Sequence, residues 1–405
     1  MKKRIMCAML AAVMVLAGCS SEKDGESSSA PAEKGSVKLE IWTDSAQQEL
    51  VVELCGSFAR EHPENNYSFT LNTVTAAEAA DLALTEGCSA DVLCITTSEL
   101  PQLAAAGLLL STDADRQWIA LNSTAAALSA SQHGGNIFGY PYAAETQLMY
   151  YDRSLLTEDE VSRMESILAK DIEGVSANLA MDLRDGRQQA AFFMAAGCSM
   201  PGEDSVPQSR ISGDSGMLAG EYLVGFVKSP ALDAQCDSAE IRTGFAEGSI
   251  AAAVAGTEVV PQISASLGED MGVSPLPLIT LPDGRCVQTG GAAQYSIAAV
   301  SASSQYAEQA MLFARALAGE EAQRYRLEKL SVFPVNSALL RDEELLAGYP
   351  VLTALREQLH YSRVIDDEGF FKCAPDFGEE LISGRVTLNN LRDKLSRFAE
   401  LVFAA

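Results

Sequence analysis

Cys19 is the residue whose setting prescribes a covalent reaction. Leu16-Ala-Gly-Cys19 closes a stretch that opens Met-Lys-Lys-Arg and runs on through the apolar segment Ile5 to Leu16. A basic start, a short apolar core and small residues ahead of a cysteine describe an export signal that is cut, after which the cysteine carries lipid. The run is too short to span a bilayer. The mature chain is therefore expected to begin at Cys19, lipid-anchored to the outer face of the cytoplasmic membrane.

Other reactive constellations are absent or incomplete. There is no GxSxG, no P-loop and no HExxH. Gly213-Asp-Ser-Gly216 has the look of a serine-protease nucleophile segment, but Met217 and Leu218 stand where glycine and proline should follow, and no histidine sits in an Ala-Ala-His-Cys setting. Beyond Cys7 and Cys19 the cysteines are Cys55, Cys88, Cys94, Cys198, Cys236, Cys286 and Cys373, an odd set with no CxxC and no zinc spacing to His62, His133 or His360. Most of them read as small buried hydrophobes, which hints at a reducing or anaerobic niche. Asp366-Asp-Glu368 lacks the alternating oxygen ligands of a calcium loop and reads as a solvated acidic turn. No catalytic residue, metal or cofactor is assigned.

Charge narrows the partners. Of 405 residues 55 are acidic and 29 basic, for a net charge of −26; loss of the signal removes three cations and no acid, which gives −29. Nucleic acid and anionic headgroups are poor partners for such a surface, so the membrane is reached through lipid alone. Ser20 to Ser36 has no large apolar residue and reads as a disordered tether with a reach of roughly 20 Å. No later segment has the roughly 18 consecutive apolar residues of a spanning helix. The remainder is long enough for two lobes.

The elements that must position a site begin with Val37 to Thr43, whose odd positions are apolar or β-branched. Ala46 to Arg60 is expected to be helical and to stop at His62-Pro63. Tyr67 to Val74 alternates again, Ala76 to Thr85 reads as helix, and Ala90 to Thr96 is a strand apolar on both faces. That βαβ series predicts an α/β fold on a parallel sheet covered by helices. Ligands lie beyond the carboxyl ends of such strands, at Thr43 to Ala46 and Thr96 to Glu99.

Seven further segments occur in a telling order. They are Asn136 to Tyr142 with Glu145 to Leu155; Gly244 to Gly256; Met271 to Pro277; Pro282-Asp-Gly284; Gly290-Gly291; Tyr306 to Leu317 with Gly319-Glu-Glu-Ala-Gln323; and Phe333-Pro-Val-Asn336. In order and spacing, from about Val37 to the C-terminus, this resembles the extracellular solute-binding proteins of maltodextrin and multiple-sugar ABC importers. The resemblance implies a two-lobed periplasmic-binding-protein-like fold with three hinge crossings, near Ala143 to Thr146, Cys286 to Gly291 and Phe333 to Asn336. The lobes are then 37–143 plus 291–335 and 144–290 plus 336–405, after the signal (1–19) and tether (20–36). A ligand held in an interlobe cleft and delivered to ABC permease subunits follows from the same resemblance, as does a monomeric, non-enzymatic receptor.

Carried over by position, the resemblance implies a site of Asp44, Ser45, Thr97, Glu99 and Glu145 on one side. On the other it implies Arg187, Gln188, Thr257, Glu258, Phe370 and Phe371. Carboxylates accept hydroxyl hydrogen bonds while aromatic faces stack on sugar rings. The chain departs from the pattern where relatives place a tryptophan two residues past Gly256; it has Glu258 there, and of its two tryptophans Trp42 lies within the first strand as a core residue. The ligand is then a carbohydrate, a smaller, more polar or amino sugar among them, or a non-sugar polar or cationic molecule. A surface sensory or interaction protein of the same fold is the remaining alternative.

Overall fold

The computed structural model describes residues 12–14, 35–198, 211–365 and 368–404. Cys19, the tether up to residue 34 and Asp366-Asp367 lie outside them, as does the side chain of Glu368. The chain divides into two compact units, residues 1–144 with 295–339 and residues 145–294 with 340–405. Together they form a two-domain α/β fold of mixed sheets and helices.

In the first unit, strands Asn65–Thr73, Gly35–Thr43 and Val92–Thr96 lie side by side and parallel, and Ala292–Val300 joins antiparallel against Val92–Thr96. Ala12–Met14 pairs antiparallel with Asn65–Thr73. The predicted strands and helices occupy these places, with helices Gln48–Glu61, Ala76–Thr85 and Ala307–Leu317 covering the sheet. Thr75 and Glu78 exchange side-chain and backbone hydrogen bonds as a capping box, which satisfies two amides that would otherwise be orphaned at the start of Ala76–Thr85. Trp42 is buried among Ala79, Ala83, Leu93 and Leu103, as expected of a core residue.

The second unit carries its own five-stranded sheet in the order Leu232–Asp233, Ala177–Ala180, Ile250–Ala255, Leu148–Asp152 and Met271–Ser274. The first three are parallel, while Leu148–Asp152 runs antiparallel to its neighbours. Ile250–Ala255 is buried throughout, which suits a strand sandwiched between helices. Helices Gly186–Ala195, Asp214–Phe226, Glu368–Ile382 and Leu391–Ala404 pack an aromatic core: Phe377 and Phe398 stack at 4.8 Å, and Phe193 and Phe370 meet edge to face at 6.2 Å.

The later two divisions between units fall four residues beyond the expected ones. Ala292 and Ala293 pair with Arg363 and Val364, which keeps them in the second unit. The Phe333 carbonyl accepts from the Ala144 amide and the Val335 carbonyl from the Thr124 amide, which holds that stretch in the first. Ser215 of the protease-like segment lies inside helix Asp214–Phe226, so it occupies no nucleophile turn. Of the cysteines, Cys55, Cys94, Cys198 and Cys236 are buried as predicted, whereas Cys286 is exposed. No helix among the described residues is long and apolar enough to cross a membrane.

Candidate functional site

The second unit contains a polar cavity of about 240 Å³ lined by Glu145, Thr146, Gln147, Asp185, Arg187, Gln188, Ser238, Gly256, Glu258 and Ala292. These residues come from where strands end. Asp185, Arg187 and Gln188 follow Ala177–Ala180, and Gly256 and Glu258 follow Ile250–Ala255, at the carboxyl ends of two parallel strands. Asp185 caps helix Gly186–Ala195, its carboxylate accepting from the Arg187 amide at 2.8 Å. Ser238 opens helix Ser238–Glu247, which Asp237 and Glu240 close in a capping box.

Glu258 depends on a glycine. A Cβ built on Gly256 would stand 2.2 Å from Glu258 Oε2, so only a bare backbone lets the carboxylate fold back there. Its Oε1 accepts from the Ser238 hydroxyl at 2.6 Å. Arg187 donates to Glu145 at 3.4 Å and to Gln294 at 3.0 Å. With side chains 41% and 45% exposed, that ion pair is worth under about 1 kcal/mol. Burial pushes the Glu145 carboxyl above the usual carboxylate range; Arg187 pulls it down and Glu258 pushes it up. Burial raises Asp185 as well, opposed by the Arg187 amide and guanidinium and assisted by Asp182 and Glu258. Glu258 is thus the common acidic neighbour of both.

Thr146, next to Gln147, adjoins a buried polar knot. Gln358 donates to the Thr289 carbonyl at 3.2 Å and accepts from the Leu276 amide at 2.8 Å, while Ser362 accepts from the Gly291 amide at 3.1 Å. The Thr146 and Ser362 hydroxyls lie 3.3 Å apart. Gly291 is required there, since a Cβ would come within 2.1 Å of Thr146 Oγ1. Gln147 is 5% exposed and its Oε1 has no hydrogen-bond partner. Leaving an acceptor buried and unpaired costs about 1–3 kcal/mol.

Of the residues implied by the resemblance, Glu145, Arg187, Gln188 and Glu258 line this cavity, and Thr257 lies buried beside them. Asp44, Ser45, Thr97 and Glu99 belong to the first unit and do not. Asp44 caps a short 3-10 turn by accepting from Ala46, and Ser45 is exposed within that turn. Thr97 is buried and exchanges hydrogen bonds with the Tyr295 backbone. Glu99 accepts from the amide and hydroxyl of Thr96 at 2.9 and 2.7 Å, so its carboxylate closes its own loop.

Phe370 requires a correction. Phe370 is fully buried, ringed by Phe193, Phe398 and Phe371, and Phe371 packs against the same core and the backbone of Gly186. The Phe370 ring is core, Phe371 is half-buried against it, and no aromatic lines the cavity. Thr146, Gln147, Asp185, Ser238 and Ala292 went unpredicted. Asp185 carried a signal, an N-cap aspartate before Gly-Arg-Gln-Gln, and so did the Asp237-x-x-Glu240 box beside Ser238. No cluster of metal-ligating side chains is present among the described residues.

The chain is similar to known proteins over most of its length. The sequence profile described as bacterial extracellular solute-binding protein matches residues 58–350. The galactooligosaccharide-binding protein of Bacillus subtilis (strain 168) is 23% identical over 375 residues, covering 88% of this chain and 85% of its own. Among solved structures, the maltodextrin-binding protein MalE1 from L. casei BL23 is 22% identical with a TM-score of 0.80, over 91% of this chain and 100% of its own. The Thermus thermophilus maltotriose-binding protein is 17% identical with a TM-score of 0.70, over 90% and 98%.

Proposed function

From the premise that this chain belongs to the bacterial extracellular solute-binding proteins, a family of receptors and not of enzymes, we propose that its solute is an oligosaccharide. The observation that carries the reading is the polar cavity of the second unit, where four separated stretches bring carboxylates, amides and a hydroxyl to one place. Such groups bind polyols by accepting and donating hydrogen bonds in fixed directions. The names of the galactooligosaccharide- and maltodextrin-binding relatives support the same class. Glu145, Arg187, Gln188, Thr257 and Glu258 are the proposed binding residues from the sequence, with Gln147, Asp185 and Ser238 added from the geometry. Anchoring through lipid on Cys19 and delivery to an ABC permease complete the proposal.

A thermal-shift and calorimetric screen over galacto-oligosaccharides and maltotriose tests it. A saccharide at one hundred times its dissociation constant should add about 2.7 kcal/mol of stability. No shift with any saccharide would overturn the reading. For the anchor, Cys19→Ala should abolish fatty-acid labelling.

A further inference from the structure

Resting on that reading, we propose that the cavity seats a protonated amino group, so that the solute is an amino-bearing saccharide. Glu145, Asp185 and Glu258 bring three carboxylates to the lining and Arg187 the single formal cation, an excess of two negative charges. Arg187 is already engaged with Glu145 and Gln294. The Ser238 hydroxyl donates to Glu258, and Asp185 has one oxygen on the Arg187 amide. The second oxygens of Glu145, Asp185 and Glu258 remain open as acceptors, beside N–H groups of Arg187 and Gln188.

Gln147 is the independent observation. The residue lines the cavity while only 5% exposed, and its Oε1 is buried with nothing donating to it. Gln147 and Gln188 also line a small apolar pocket with Met164, Met181, Phe192 and Leu276, so the cavity backs onto hydrocarbon. A poorly polarisable floor strengthens charge interactions above it. An ammonium supplies three donors and the missing positive charge at once. A carboxylated or phosphorylated sugar meets repulsion, and a plain sugar finds no aromatic face here to stack on.

Calorimetry with two trisaccharides of one size, glucosamine trisaccharide and its fully N-acetylated counterpart, tests the inference at a pH where the free amines are protonated. The amine form should bind at least about tenfold more tightly to the native protein, the increment of one charge-assisted contact. Glu258→Gln and Asp185→Asn should each erase most of that preference; Asn still caps a helix, so the second variant keeps the fold. Equal or tighter binding of the N-acetylated form overturns the inference, as does a preference that survives Glu258→Gln. If galacto-oligosaccharides bind and the amine gives no advantage, this inference falls while the oligosaccharide reading stands. If spermidine binds and no saccharide does, both fall.

Discussion

In the first unit Glu99 accepts from both donors of Thr96, Thr97 exchanges hydrogen bonds with Tyr295, and Asp44 turns back on Ala46. In the second, Gln147 Oε1 is buried without a donor, and Glu258 places a carboxylate beside two other acids. The first unit even buries a cation without a carboxylate partner among the described residues: Arg326 lies 4.1 Å over the Tyr142 ring and donates to Gln47 at 2.7 Å and the Leu317 carbonyl at 2.6 Å. Polar groups consumed by the fold stabilise it and have little left to offer a ligand. Groups left unsatisfied cost stability wherever they lie, as Thr43 Oγ1 and Arg326 Nη2 do in the first unit, and only one that lines a cavity, as Gln147 does, is placed to serve binding.

The comparison can be broken most forcefully at Phe370. If it is core, Phe370→Ala should cost about 3–5 kcal/mol in urea unfolding, the range for deleting a buried aromatic. A small stability loss with a large loss of affinity would return it to the binding site. Arg326→Met tests the buried cation of the first unit, whose Nη2 finds no hydrogen-bond partner. It orphans Gln47 and the Leu317 carbonyl while removing a buried charge, so a net cost of about 1–3 kcal/mol is expected. A gain in stability would mean that burying the guanidinium costs more than its contacts return.

The smallest effect is the most diagnostic, because its sign is opposite. Glu258→Gln should stabilise the ligand-free protein by under about 1 kcal/mol, by relieving repulsion on Glu145 and Asp185, while weakening ligand binding. Both of those carboxyls titrate above their ordinary values in the folded chain. A raised carboxyl penalises folding at pH above its folded value, and the penalty disappears below the unfolded value. The stabilisation by Glu258→Gln should therefore be present at neutral pH and vanish on acidification through the ordinary carboxylate range. A benefit that persists into acid would assign it to packing.

Much of the architecture was legible because strands of period 2 and helices between capping signals leave local marks. The helix expected at Ala76 to Thr85 has those bounds in the structure, where Thr75 and Glu78 form a capping box. Phe370 misled because the resemblance was followed where the local pattern already spoke: Phe370, Ala374, Phe377 and Leu381 recur at helical spacing and are all buried. Thr96 and Glu99 likewise stand three apart, the spacing of a self-contained loop. Gln147 could not be read from its neighbours in sequence. Its Oε1 lies beside Gly291, far along the chain, and periodicity carries no information about such contacts.

One strand belongs to both units. Along Ala292–Val300, Ala292 and Ala293 pair with Arg363 and Val364 of the second unit, whereas Ser296 to Val300 pair with Val92 to Thr96 of the first. Amide hydrogens a few residues apart are therefore guarded by different opening reactions, and their exchange rates read two local stabilities within one peptide. A ligand in the cavity that Ala292 lines would slow exchange at the start of the strand. The far end would supply the internal reference.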